Sequence, residues 1–214
     1  MKISSKALRL YAVTDRSWLK ENQTLTDSVE KAILGGVTIV QLREKNTDFE
    51  EQLSLAQELK TVCKKYNVPL IINDSVELAL KSGADGIHLG QSDGNIKKAR
   101  GILGDNAIIG ATAHNVNEAV SAFKSGADYL GCGAVFGSST KNNTVPLSFE
   151  RTEKICENVS IPVAAIGGIN QENISLLKNT GISGVAVVSA IFAKNDIQCA
   201  TAALKKSILE IIGD

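Results

Sequence analysis

The stretch PLIINDSVELALKSGADGIHLG, residues 69–90, holds one complete unit of the fold. Pro69–Asn73 is a short apolar run of strand length, and Gly86–Leu89 is a second. Between them Asp74-Ser75-Val76-Glu77 fits a helix-opening capping box, followed by apolar residues at helical spacing. Gly83-Ala84-Asp85-Gly86 then closes the helix, because glycine suits the left-handed residue at which helices end. The order strand, helix, glycine turn, strand is a βαβ unit.

The same rhythm extends in both directions. Strands are expected at Leu8–Thr14, Val37–Arg43, Pro69–Asn73, Gly86–Leu89, Ala107–Thr112, Tyr129–Gly131, Pro162–Ile166 and Gly184–Val188, each followed by a helical pattern. In the second helix Phe49, Leu53, Ala56, Leu59 and Cys63 share a face, and in the last Ala200, Ala203, Leu204, Ile208 and Ile211 do. Gly35-Gly36-Val37, Gly126-Ala127-Asp128 and Gly181-Ile182-Ser183-Gly184 repeat the turn of the opening stretch. Regular alternation allows a closed barrel or an open doubly wound sheet. Eight units without a clear edge strand favour the barrel, and Thr14-Asp15-Arg16-Ser17 after the first strand lacks GxGxxG. With 214 residues and no linker-like stretch, the expectation is an α/β protein, a single (βα)8 TIM barrel over residues 1–214.

Lys plus Arg and Asp plus Glu are 23 each, so no global basic field points to nucleic acid, and any anion must be held locally. Cys63, Cys132, Cys156 and Cys199 are far apart, show no metal-ligand spacing and fall in apolar or helical context, which suits reduced structural thiols. Met1 to Arg9 lacks an apolar leader core, and the longest apolar run, Gly184 to Ala193, is short of a membrane span. A cytoplasmic location, no membrane and small-molecule partners are therefore expected, with a homo-oligomer left open.

In a barrel the site lies at the C-terminal strand ends. After strand two, Gln41-Leu42-Arg43-Glu44-Lys45 alternates, so Gln41, Arg43 and Lys45 face one side and Leu42 and Glu44 the other. One amide and two cations suit a polyanion; a solvated loop with Arg43–Glu44 pairing is the alternative. Asp74 after strand three and Asp93 after strand four can share Mg²⁺, which takes a few carboxylates plus water and phosphate oxygens. Each can instead cap a helix, Asp93 the one over Ile96 to Leu103. His88 and His114 are the only histidines, each a candidate base or a structural residue, neither with a visible acid partner. The polar loop from Phe136 to Pro146 carries Lys141 and suits a lid. Ile166-Gly167-Gly168-Ile169-Asn170 and Val188-Ser189-Ala190, after strands seven and eight, suit a backbone phosphate cup. Two anion sites call for an enzyme joining two phosphorylated compounds.

In order along the chain, Leu10-Tyr11-Ala12-Val13-Thr14-Asp15, QLREK (residues 41–45), Asn73-Asp74, HLGQ-x-D ending at Asp93, Ala113-His114, Thr140-Lys141, Ile166-Gly167-Gly168-Ile169 and Val187-Val188-Ser189 resemble thiamine phosphate synthases. The resemblance spans nearly the whole chain. It implies condensation of hydroxymethylpyrimidine diphosphate with hydroxyethylthiazole phosphate, or its carboxylated form, releasing pyrophosphate by a dissociative, Mg²⁺-assisted route. It implies that Gln41, Arg43, Lys45, Asn73, Thr112 and Lys141 contact the diphosphate substrate and that Asp74 and Asp93 bind Mg²⁺. Ser138, Ser139, Thr140, Gly168, Val188 and Ser189 would hold the thiazole phosphate, with Arg43, Lys45 and Lys141 catalytic.

The chain departs from that pattern in places. Thr112 replaces a usual serine, Ser138-Ser139-Thr140 a usual Thr-Pro-Thr, Asn142-Asn143 a usual Lys-Asp, and Ser148-Phe149 a usual Gly-Leu. These bear on the lid and thiazole side more than on the diphosphate side. Two rivals stand beside the synthase: a thiazole tautomerase-like isomerase using a histidine such as His114, and a non-catalytic phosphorylated-ligand-binding barrel. Retention of Arg43, Lys45, Asn73, Asp74 and Asp93 argues against the first, because a proton shuffle needs no pyrophosphate cradle.

Overall fold

A computed structural model describes residues 3–45, 47–137 and 147–213. Its strands are β1 (Leu10–Val13), β2 (Ile39–Leu42), β3 (Leu70–Asn73), β4 (Gly86–Leu89), β5 (Ile108–Ala113), β6 (Tyr129–Gly133), β7 (Val163–Ile166) and β8 (Gly184–Val187). Each pairs in parallel with the next, and β8 pairs back onto β1 through Leu10↔Val185 and Ala12↔Val187, closing the barrel. All the expected strands are present, with ends shifted by no more than two residues. β1 starts later than expected because Ser5–Leu8 forms a 3-10 helix capped by Ser4.

The helices are α1 (Leu25–Leu34), α2 (Phe49–Lys65), α3 (Val76–Ser82), α4 (Ile96–Leu103), α5 (Val116–Lys124), α6 (Phe149–Glu157), α7 (Ser189–Phe192) and α8 (Ile197–Ile212). The glycine turns hold: Gly36, Gly83, Gly126 and Gly181 all have positive φ. Between β7 and β8 the expected helix is one 3-10 turn, Ile174–Leu177. Asn173, which would cap a helix there, accepts from Asn170 N–H and donates to Gly168 C=O, so its side chain is committed to the β7 loop. In α8 the buried face is Ile197, Thr201, Leu204 and Ile208, and Ala203 is exposed, which rotates the expected stripe. Thr201 tolerates burial because its hydroxyl donates to Ile197 C=O at 2.6 Å.

Two capping expectations fail in an informative way. Ser75, not Asp74, caps α3 by accepting from Leu78 N–H, and Asn95, not Asp93, caps α4 by accepting from Lys98 N–H. Neither carboxylate is used to start a helix.

Alternation sorts each strand into two cores. Outward residues such as Leu10, Val40, Leu70, Ile72, Ile87 and Ile109 pack with the helices. Inward residues Tyr11, Val13, Ile39, Ile71, Tyr129, Ala164 and Ala186 fill the barrel with Ile3 and Leu8 at its base. Large side chains from β1 and β6 meet small ones from β7 and β8. Gly110 is part of the same fit, since a Cβ there would lie 2.1 Å from the Tyr129 ring.

Candidate active site

A cavity of about 600 Å³ opens at the C-terminal ends of the strands, with lining residues from β1 round to β8. On one wall β2 stays extended beyond its last rung. Gln41, Arg43 and Lys45 all line the cavity, while Leu42 packs into the helix-facing core and Glu44 does not reach the cavity. The alternative Arg43–Glu44 pairing is not formed: Glu44 binds Arg16 at 3.3 Å and Thr14 Oγ1 at 3.0 Å. Burial pushes the Glu44 carboxyl above its usual range, and the Thr14 hydroxyl and Arg16 only partly offset this.

Asn73, Asp74 and Asp93 line the same cavity. Asp74 sits at φ 63, a left-handed backbone rare outside glycine, and its Oδ1 accepts from Asn73 Nδ2 at 2.8 Å. Asp93 Oδ2 accepts from Gly90 N–H at 3.0 Å, and Ser92 Oγ donates to Oδ1 at 3.2 Å. A Cβ at Gly90 would lie 2.2 Å from Asp93 Oδ2, so glycine lets the carboxylate fold back over its own loop. Among the described residues no cluster of three or more His, Cys, Asp or Glu could cage a metal. Two hard carboxylates lining one cavity fit Mg²⁺, whose remaining ligands would be water and phosphate oxygens.

The opposite wall is mainly backbone. Gly167, Gly168, Val188 and Ser189 line it, and Ser189 opens α7, whose first N–H groups have no partner within the helix. Gly168 has φ 65, and a Cβ would stand 2.8 Å from Gly137 C=O, so only glycine fits. Ser138, Ser139, Thr140 and Lys141 lie outside the described residues.

Sequence reading missed the floor. Gln41 Nε2 donates to Tyr11 Oη at 2.6 Å, Tyr11 Oη meets Tyr129 Oη at 2.7 Å, and Tyr129 Oη meets His88 Nδ1 at 3.0 Å. His88 Nε2 meets Thr112 Oγ1 at 3.0 Å. The Gln41 amide is the donor at one end of this row, and each hydroxyl and the His88 ring can both donate and accept along it. Burial holds both tyrosines protonated, raising their pKa well above normal. His88 is therefore a hydrogen-bonded member of the floor. The available signal was that Tyr11 and Tyr129 fall at inward positions of β1 and β6, where a buried hydroxyl needs a partner.

His114 has the acid partner that the sequence did not reveal. Glu118, one turn into α5, accepts from His114 Nδ1 at 2.9 Å and from its backbone N–H at 2.8 Å. The cysteines are free; Cys199 is exposed rather than packed. Burial pushes the Cys132 thiol up to about 12, which keeps it protonated and a poor nucleophile.

Fold and site together define a (βα)8 barrel with a cationic, carboxylate-bearing wall facing a backbone wall across one mouth, the position where barrel enzymes work. A family profile described as thiamine monophosphate synthase matches residues 10–191. The chain is 51% identical over 189 residues to a thiamine-phosphate synthase of Ruminiclostridium cellulolyticum, covering 88% of this chain and 90% of that one. It is 48% identical over 197 residues to one of Clostridium novyi, covering 92% and 96%. A solved thiamine phosphate pyrophosphorylase from Pyrococcus furiosus superposes with TM-score 0.89 at 38% identity, covering 98% of this chain and 99% of that one. The chain belongs to the thiamine monophosphate synthase family and is a transferase of thiamine biosynthesis. No helix among the described residues is long and apolar enough to cross a membrane.

Proposed function

We propose that the chain condenses 4-amino-2-methyl-5-hydroxymethylpyrimidine diphosphate with hydroxyethylthiazole phosphate, or its carboxylated form, to give thiamine phosphate and pyrophosphate. The observation that carries this reading is the convergence of Arg43, Lys45, Asp74 and Asp93 on one cavity. A diphosphate needs that combination, and a proton transfer does not. Asp74 and Asp93 would hold Mg²⁺, which when bound neutralises charge on the diphosphate oxygens.

In this reading Arg43 and Lys45, joined by Lys141, stabilise negative charge as the pyrophosphate leaves. Gln41, Asn73 and Thr112 orient the pyrimidine end, whose amino group stabilises the methylene cation left behind. The thiazole phosphate sits against Gly168, Val188 and Ser189, with Ser138, Ser139 and Thr140 as its further expected contacts, so that its ring nitrogen meets the cation. The protein acts by charge placement and orientation, with no covalent nucleophile. The reaction would take place in the cytoplasm, on small molecules, without nucleic acid or membrane.

The test is to incubate both phosphorylated precursors with Mg²⁺ and follow thiamine phosphate and pyrophosphate together. Equal formation of the two supports the reading. No coupling with either thiazole form would overturn it; tautomerisation of the carboxylated thiazole without coupling would instead assign His114 and Glu118 a proton-transfer role.

A further inference from the structure

Beside the cationic wall stands one uncharged side chain, Thr14, bonded to both Arg43 and Glu44. The β1–β2 ladder has its last rung at Val13↔Gln41, after which Thr14 N–H still donates to Gln41 C=O at 2.9 Å. Beyond that point the main chain of β1 turns away, and a side chain replaces it. Thr14 Oγ1 accepts from Arg43 N–H at 3.0 Å and donates its own proton to Glu44 Oε1 at 3.0 Å. Thr14 is fully buried, so water does not substitute for either bond. Arg16 takes the other oxygen of Glu44 at 3.3 Å and reaches Glu51 at 2.5 Å in the first turn of α2.

We propose that Thr14 is the positioning residue of the cationic wall: with its one hydroxyl it extends β2 by a false rung at Arg43 and pins Glu44 away from the cavity, so that Arg43 and Lys45 face into it. Without the rung, Arg43-Glu44-Lys45 is a short charged loop free to turn, and Glu44 swinging inward would neutralise one of the two cations. Arg16 acts on the same carboxylate from outside and ties it to α2. What Thr14 sets is the orientation of two side chains, and this role rests on the reading that they receive a diphosphate.

The experiment compares Thr14→Val, which keeps the shape and removes the hydroxyl, with Thr14→Ser, which keeps the hydroxyl. Binding of inorganic pyrophosphate with Mg²⁺ is measured by calorimetry, the two KM values by steady-state kinetics, and exchange of the Arg43 amide by NMR. Thr14→Val is expected to weaken pyrophosphate binding and raise the KM for the pyrimidine diphosphate about tenfold. The KM for the thiazole phosphate should stay within about twofold, since that site is formed by β7 and β8. Arg43 N–H should lose protection in the valine variant, and Thr14→Ser should recover all three readings. Unchanged pyrophosphate affinity in Thr14→Val, an equal rise in both KM values, or no rescue by serine each overturns the proposal. Should the valine variant fail to fold, Thr14→Ala, smaller and equally without a hydroxyl, carries the same comparison, and unaltered pyrophosphate affinity there is equally fatal. A wild-type chain that binds no pyrophosphate overturns the functional reading itself, an outcome distinct from wild-type binding that survives the loss of Thr14.

Discussion

The two walls of the cavity differ in what they offer to a negative charge. The β2–β4 wall presents ionic side chains, Arg43 and Lys45 beside Asp74 and Asp93, and the β7–β8 wall presents glycine backbone and the start of α7. A side-chain wall can carry net charge and a metal, which suits a leaving group that gains charge as it departs. A backbone wall has no rotamers to order and a shape set by the fold, which suits a phosphate that must be held still while chemistry happens elsewhere. Under the proposed function, division of labour across one mouth would let the two substrates be recognised independently.

If that division is right, variants should separate by wall. The largest effect is expected on the ionic side: Asp93→Ala should lower kcat by roughly 10²-fold or more and raise the Mg²⁺ concentration needed for half-activity, measured by titration at saturating substrates. A turnover close to wild type removes Asp93 from the metal site. Next comes Gly168→Ala, which forces a Cβ against Gly137 C=O at φ 65. It should raise the KM for the thiazole phosphate about tenfold and leave that for the diphosphate alone. Equal changes in both constants would break the comparison.

The floor is drawn from β1, β2, β4, β5 and β6, beneath the mouth, and its central hydroxyl is tested by stability. Tyr129→Phe removes the hydroxyl joining Tyr11 to His88 and leaves two buried polar groups short of a partner. It is expected to cost about 1–3 kcal/mol, a fall in Tm of roughly 2–4 °C per kcal/mol for a chain this long. Thermal melts on the purified variant give that number, and an unchanged Tm would mean the chain of hydroxyls contributes nothing net.

The smallest effect concerns Glu44, whose carboxyl is raised by burial. A carboxyl with a folded pKa above its unfolded value favours folding while protonated, and that contribution fades as pH rises through the folded pKa. The Tm of Glu44→Gln relative to wild type should therefore become more favourable between pH 4 and pH 7, by an amount worth a few tenths of a kcal/mol. A flat difference over that range would show that Arg16 and Thr14 balance the buried charge, and one of opposite sign that they outweigh it.

Much of this could be read before any coordinates. The eight strands follow from apolar runs that period-two and period-3.6 patterns separate, and Gln41, Arg43 and Lys45 share a side because extended backbone alternates. Other features resisted for definite reasons. Asp74 and Ser75 are both good caps by composition, and which one caps depends on a left-handed turn at Asp74 that residue type does not announce. The helix expected between β7 and β8 shortens to one 3-10 turn, with Asn173 bonded into the loop before it rather than capping a helix, a choice that residue type does not announce.

By itself, then, the order of residues determined a run of eight βα units and the chemical character of each strand end, since both rest on local periodicity. Tertiary structure alone decided that Tyr11, Tyr129, His88 and Thr112 join into one floor, that Glu44 turns to Arg16 rather than to Arg43, and that His114 finds Glu118. The physical reason is that a hydrogen bond is a matter of ångströms and angles. Except for His114 and Glu118, where the backbone turn had to form first, these partners come from strands or loops whose separation no local pattern encodes.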